Sequence, residues 1–99
     1  MVRHIVFWRL KGDTAEEKSA LALEIKTKLE ALNGHILGMR RLEVGLDFSQ
    51  SAESADLALY SEFESRQALD AYQVHPEHVA VIPLIKSARL ERRVVDYET

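Results

Sequence analysis

Apolar and polar residues alternate along four stretches of the chain, and this pattern predicts four strands. Residues 2–10 are rich in β-branched and aromatic residues and carry large apolar side chains on both faces, so we expect this strand to be covered on both sides. Residues 39–48 and 56–63 predict two strands whose short connection favours an antiparallel hairpin. Gly45 predicts a bulge or a close backbone approach. Residues 89–98 predict the last strand.

A helical period follows the first strand. Thr14 is followed three residues later by Glu17, the arrangement of a capping box at the start of a helix. Leucine and isoleucine then recur at helical spacing, with charged residues on the other faces. We expect this helix to run to about Leu32, because Asn33-Gly34 is a typical helix stop.

The second helical region contains a break. Ser65 predicts the cap of a helix that ends near Tyr72, ahead of a break at His75-Pro76. Proline suits the first position of a new helix, where its missing N–H is not needed, so a second run is expected to begin with Glu77. Pro83 is expected to shorten or kink that run.

The element order is therefore β-α-β-β-α-β, which predicts an α+β fold of the ferredoxin-like kind. Residues 1–99 are enough for one domain. Its four-stranded antiparallel sheet would carry helices on one face only. A second copy of the sheet is the simplest cover for the other face, so we predict a homodimer with the sheets face to face.

Composition narrows the possible partners and the compartment. The net charge of −3 argues against nucleic acid or an anionic membrane as a partner. The absence of cysteine excludes disulfides and thiolate metal sites. No signal peptide and no apolar run of about 20 residues is recognisable, so we expect a cytoplasmic protein without a membrane span.

Candidate chemistry is concentrated in residues 71–81, where titratable side chains interrupt an amphipathic segment. His78 could be a general base with a pKa near neutrality, with the hydroxyl of Tyr72 as hydrogen-bond donor to a developing enolate. Alternatively, His78 is a capping or core histidine that stabilises the helix break. His75 precedes a proline, so its backbone is extended and its side chain is suited to cap the next helix.

Other residues are candidates for the same pocket. His4 shares a strand face with Trp8 and could point into the cavity of His78, or it could be a buried histidine with a backbone or carboxylate partner. His4, His75 and His78 could together hold a metal, but no carboxylate or cysteine spacing supports this, and we predict no metal. No phosphate-binding loop or nucleophile elbow occurs, so we predict no cofactor. Arg40-Arg41 and Arg92-Arg93 are interpreted as solvated strand ends, with binding of an anionic ligand as the lesser alternative.

Three signatures in this order resemble the stress-responsive dimeric α/β-barrel (Dabb) family. They are Arg-His-Ile-Val-Phe-Trp-Arg-Leu-Lys at residues 3–11, the Tyr-Gln-Val-His-Pro-Glu-His-Val segment at 72–79 with Ser-Glu-Phe-Glu-Ser at 61–65 before it, and Val-Asp-Tyr-Glu at 95–98. The resemblance covers nearly the whole chain. It implies a homodimer whose two sheets close into a barrel with the helices outside, and most members of the family have no assigned activity.

One member of the family is a plant polyketide cyclase that performs an aldol condensation. The resemblance to its motifs implies His78 as base and Tyr72 as its assistant, with His75 and His4 matching further histidines. This chain departs from that enzyme at Leu57, where the cyclase has a histidine, and it lacks the pocket tyrosine of the first helix. These departures argue against the same substrate.

Two functions from different classes follow. The first is a stress-responsive barrel-domain protein of unassigned activity, a homodimer with a small apolar pocket near His78 and Tyr72, lined also by His4, His75 and Trp8. It would bind a small apolar or aromatic molecule. The alternative is a cofactor-independent enzyme of the cyclase or lyase type that acts on a keto or aromatic compound.

Overall fold

A computed structural model describes residues 1–99, and it has four strands and four helices. The elements are β1 (Val2–Leu10), α1 (Ala15–Glu30), β2 (Met39–Leu46), β3 (Leu57–Phe63), α2 (Arg66–Val74), α3 (Pro76–Val79), α4 (Ile82–Ala88) and β4 (Arg89–Glu98). The strands form one sheet in the order β2-β3-β1-β4, and every neighbouring pair is antiparallel. The predicted α+β, ferredoxin-like fold is confirmed.

The start of α1 follows the predicted capping pattern with one change. The Thr14 hydroxyl accepts a hydrogen bond from the backbone N–H of Glu17 at 3.1 Å. The Glu17 carboxylate accepts from the backbone N–H of Asp13 at 2.8 Å, one residue before the cap. The helix ends at Glu30, earlier than predicted, because the chain turns over residues 31–35, although Leu32 remains buried in the core.

The second helical region is divided into three short helices. Ser65 caps α2 by accepting from the backbone N–H of Ala68 at 3.1 Å, and Pro76 is the first residue of α3. Pro83 was expected to shorten or kink the run that begins at Glu77. That run is short and ends at Val79, and Pro83 lies in the first turn of a separate helix, α4, where its missing N–H breaks no helical bond. The chain therefore changes direction between helices, not within one.

The edge strand β2 differs from its prediction. It ends at Leu46, and Phe48 is 92% exposed in the following loop. The bulge predicted at Gly45 was wrong, because Gly45 pairs regularly with Ala58 and has open space where a side chain would lie. The register shift lies between Met39 and Arg41, where the strand begins.

The two faces of the sheet have different surroundings within the protomer. The face under the helices is buried and supplies nine of the 19 core residues: Val2, Val6, Trp8, Leu10, Leu42, Val44, Leu57, Leu59 and Phe63. Large apolar side chains remain exposed on the opposite face: Phe7, Val95 and Tyr97 are 42%, 48% and 43% exposed. None of the four helices has the length and apolar character needed to cross a bilayer.

Candidate functional site

A cavity of about 300 Å³ lies between the helix-covered face of the sheet and the helices α1, α2, α3 and α4. Its walls include buried side chains of the core, among them His4, Val6, Trp8, Leu59 and Tyr72. A cavity of about 150 Å³ is enough for benzene, so this one has room for a six-membered ring with substituents. Exposed side chains also line it, and they mark its mouth at the protein surface.

His78 lies at the cavity because α3 begins at Pro76 and carries it back towards α2. Its Nδ1 is 3.3 Å from the carbonyl oxygen of Gln73. A carbonyl only accepts, so Nδ1 carries the proton and Nε2 is the unprotonated nitrogen of the neutral ring. Burial lowers the pKa of His78 below its ordinary value, although the hydrogen bond to Gln73 opposes this shift. His78 is therefore a neutral base near pH 7.

Tyr72 comes from the last turns of α2 and contacts His78 directly. The ring centroids lie 4.2 Å apart with an angle of 37° between the planes, and the other side of the cluster is Phe63 at 5.1 Å. Tyr72 is only 1% exposed, and its hydroxyl has no hydrogen-bond partner in the protein. Burial raises the pKa of the Tyr72 hydroxyl well above its usual range, so the group remains an O–H donor.

His4 lines the same cavity and has a carboxylate partner. The antiparallel register of β1 and β4 places it directly opposite Asp96, and its Nδ1 lies 2.5 Å from Oδ1 of that residue. The carboxylate accepts, so His4 donates through Nδ1. The His4 ring also approaches Tyr72 edge-on, with centroids 6.2 Å apart. The sequence offered two alternatives for His4, a position in the cavity or a buried position with a carboxylate partner. The structure shows both together.

The structure places His75 outside the cavity, contrary to the expectation that it lines the pocket with His4 and His78. It precedes the first residue of α3, and its Nδ1 accepts a hydrogen bond from the backbone N–H of Glu77 at 3.1 Å. This is the capping position that the alternative interpretation predicted, because the residue before a proline is extended. No group of three or more histidine, aspartate and glutamate side chains is placed to hold a metal ion.

Three basic residues line the cavity that sequence reasoning did not include: Lys86, Arg89 and Arg92. The interpretation of Arg92 as a solvated strand end was incomplete, because Arg92 pairs with Trp8 across β1 and β4 and shares its face of the sheet. Arg92 is exposed at the mouth of the cavity. Arg92 is four residues from Asp96, so the two side chains share a face of β4. This spacing points to the cavity only when the β1–β4 register is known.

Trp8, predicted from its strand face to lie in the pocket, is placed at the cavity wall. It is 4% exposed, and its indole Nε1 has no hydrogen-bond partner within the protein. Buried polar groups normally have partners, so two unpaired donors in one cavity, from Trp8 and Tyr72, require an explanation. A bound molecule with acceptor oxygens would supply one.

Comparisons with known proteins give the chain its relatives. The family model for the Stress responsive A/B Barrel Domain (Dabb) matches residues 2–99. An uncharacterized protein of Streptomyces coelicolor is 27% identical over 84 residues, which is 85% of this chain and 86% of that protein.

Two solved structures are similar over almost their whole length. A dimeric protein of unknown function and ferredoxin-like fold from Bacteroides fragilis is 38% identical, with a TM-score of 0.88 over 99% of this chain and 95% of that one. A dimeric ferredoxin-like protein of unknown function from Jannaschia is 27% identical, with a TM-score of 0.79 over 99% of this chain and 98% of that one. Both of these proteins are dimeric and of unknown function.

Proposed function

The chain belongs to the stress responsive A/B barrel domain family, and from this premise we propose that it is a homodimer that binds a small molecule in each protomer. The observation that carries the proposal is the cavity of about 300 Å³ beside His78 and Tyr72, which has mainly apolar buried walls and two buried donors without partners. Such a cavity is at the lower end of the size range of small-molecule sites. The ligand would be a compact apolar or aromatic compound with at least one acceptor oxygen.

The proposed dimer forms through the open face of the sheet. Phe7, Val95 and Tyr97 are each more than 40% exposed on this face, and Ile5 pairs with Tyr60 and Val95 between them. A contiguous apolar patch of this kind on a soluble domain indicates an interaction surface. The patch lies across neighbouring strands, so a two-fold axis can bring it against its own copy. The dimeric state of the relatives supports this arrangement.

The binding proposal can be tested with the indole N–H of Trp8. The chain has one tryptophan, so its indole gives one resonance in a proton–nitrogen correlation spectrum, and this residue lines the cavity. A panel of β-diketones and phenols is added, and the Trp8 resonance and the ring protons of His78 are followed. We expect one compound class to shift both signals in a saturable way. A panel that shifts neither signal would contradict the proposal.

A matched pair of variants locates the binding. Ile82→Phe adds a ring to a residue that lines the cavity, and we expect it to weaken binding at least tenfold. Leu84→Phe makes a similar change two residues away, at a half-buried position outside the cavity, and should leave binding intact. Equal effects of the two variants would show that the compound binds elsewhere.

A second candidate function is proton transfer on the bound molecule, with His78 as base and Tyr72 as donor. The observation that favours it is the contact of these two side chains in the cavity, one neutral with a free ring nitrogen and the other a protonated hydroxyl. Abstraction of a proton next to a carbonyl needs this combination, because the base takes the proton and the donor stabilises the enolate oxygen. His4, held by Asp96, would fix the other side of the Tyr72 ring.

The exchange of a C–H proton for deuterium tests this second candidate directly. A β-diketone that binds is incubated in heavy water with the protein, and loss of the signal of its central protons is followed. His78→Gln should reduce the protein-dependent rate at least 100-fold, and Tyr72→Phe about tenfold, with folding retained. His35→Gln, an exposed histidine outside the cavity, is the control. Binding without any accelerated exchange would leave only the first function.

Three expectations from the sequence stay predictions. They are a cytoplasmic location, function without a cofactor, and the absence of a nucleic-acid or membrane partner. The binding proposal needs no cofactor, nucleic acid or membrane, since every residue that it uses belongs to the protein itself. Fractionation of cells that produce the protein would test the location.

A further inference from the structure

The charged side chains that line the cavity are all positive, and the nearest carboxylate, Asp96, is bound to the lining residue His4. Among its lining residues are Lys86 from α4 and Arg89 and Arg92 from β4, and none of the residues that line it is an aspartate or glutamate. None of the three cations has a carboxylate oxygen within ion-pair distance. The ion pairs of the protomer engage other basic side chains: His4, Arg9, Lys26, His35, Arg40, Arg41, Arg66 and Arg93. The mouth of the cavity therefore presents unneutralised positive charge.

The interior of the cavity has the same bias towards donors. Tyr72 and Trp8 both line the cavity, and the hydroxyl of Tyr72 and the indole N–H of Trp8 are buried and have no acceptor in the protein. A tryptophan N–H can only donate, and a protonated tyrosine hydroxyl needs an acceptor for its hydrogen. The missing partners are therefore acceptor oxygens.

The positive charge of Arg92 also acts on Tyr72 and His78 inside the cavity. Register places Arg92 beside Trp8 on the helix-covered face, which directs this charge towards the cavity and not towards the open face. Consistent with this, the charge of Arg92 acts to lower the pKa of both Tyr72 and His78, in each case as a smaller effect than burial. A negative charge at the mouth would be stabilised by the same field.

We propose that the molecule bound in the cavity is an organic anion, a small carboxylate with an apolar or aromatic body. The carboxylate would lie at the mouth against Lys86, Arg89 and Arg92, and the body would lie against the apolar wall formed by Val6, Leu59 and Ile85. Guanidinium groups bind carboxylates through paired hydrogen bonds, which suits two arginines at one rim. A keto or hydroxyl oxygen on the body would accept from Tyr72 or Trp8. The proposal rests on the binding function proposed above and names the class of its ligand.

Pairs of acids and amides test the charge without changing the protein. Benzoate is compared with benzamide and hexanoate with hexanamide, each titrated against the dimer at low salt while the indole N–H resonance of Trp8 is followed. We expect each acid to bind at least tenfold more tightly than its amide. We also expect the preference to shrink as the ionic strength is raised from 20 to 500 mM (about 20 to 4 Å of screening length), because Lys86 and Arg92 are exposed and Arg89 is partly exposed.

The matched variants are K86Q/R89Q/R92Q and the control R40Q, an exposed arginine outside the cavity. The triple variant should lose the preference for the acid and bind the amide as before, whereas the control should change neither. If the triple variant does not fold, R92Q alone should reduce acid binding about threefold to tenfold.

The outcomes separate this proposal from the one on which it rests. Equal binding of acids and amides, or an unchanged preference in K86Q/R89Q/R92Q, would overturn the anion proposal and leave the binding function in place. Failure of every acid and every amide, together with the diketones and phenols, to shift the Trp8 resonance would overturn both.

Discussion

The two faces of the sheet are built from alternate residues of the same strands. Both carry large apolar side chains, but the faces differ in burial and in the partners of their polar groups. The three phenylalanines show the contrast: Phe63 on the helix-covered face is fully buried, Phe7 on the open face is 42% exposed, and Phe48 in a loop is 92% exposed. One side-chain type thus occupies a core, a candidate interface and solvent. The surroundings, which come from topology, decide its role.

The distribution of polar groups shows what each face is suited for. The helix-covered side of the sheet holds the His4–Asp96 pair and Trp8 on the strands, with Tyr72 and His78 on the helices that cover them. The donors of Tyr72 and Trp8 are unpaired. On the open face, polar groups satisfy one another: Tyr60 donates to Glu62 at 2.6 Å, and Arg93 and Glu91 are 3.0 Å apart. Unsatisfied donors need a ligand, whereas satisfied ones can be covered by another copy at low cost.

The largest expected effect tests the core side of the comparison. Phe63→Ala removes a fully buried ring in contact with Tyr72, and we expect the free energy of unfolding to fall by about 3–5 kcal/mol. Urea denaturation at a fixed protein concentration measures it. Phe48→Ala is the control and should change stability by less than about 0.5 kcal/mol. Equal costs at the two positions would show that Phe63 is not in a packed core.

The next effect tests the open face. Phe7→Lys places a cation near Arg93, its partner in the β1–β4 register, at a position that a two-fold dimer would contain twice. We expect the dissociation constant of the dimer to rise about 100-fold or more, with little loss of protomer folding. Sedimentation equilibrium measures the constant, and Phe48→Lys is the matched control. A dimer that persists in Phe7→Lys would place the interface on another surface.

Sequence reasoning could reach the fold because it depends on local signals. The capping hydroxyls of Thr14 and Ser65, the break at Pro76 and the alternation of the strands are each contained in a few neighbouring residues, and each is confirmed. The inference that one sheet face would need an external cover also follows from alternation alone. The end of β2 was missed because Phe48 continues the apolar pattern beyond the last paired residue.

The candidate site was reached only in part, because it depends on register. That Asp96 meets His4 and that Arg92 shares the face of Trp8 follow from the alignment of β1 with β4, two strands at opposite ends of the chain. No local pattern determines that alignment. His75 and His78 show the opposite limit: both were predicted to line one pocket, but His75 precedes the helix, and its ring turns back to cap it.

The smallest effect tests whether the chemistry of the covered face belongs to the protomer. Burial lowers the pKa of His78 from its ordinary value of 6.5, so below about pH 6.5 the unfolded chain binds a proton that the folded chain resists. Stability must therefore fall as the pH is lowered through 6.5 and stop falling once folded His78 is protonated too. Urea midpoints between pH 8 and 5 should show this slope, and His78→Gln should reduce it.

The same measurement in Phe7→Lys joins the two faces in one test. Besides burial, which is the largest cause, the groups that shift the pKa of His78 are Gln73, His4, Arg92 and His75, and none of them lies on the open face. The contribution of His78 to the slope should therefore survive when the dimer is weakened. Its loss together with the dimer would mean that the second copy shapes the cavity. The conclusion that the cavity depends only on the helix-covered face, and the dimer only on the open face, would then be wrong.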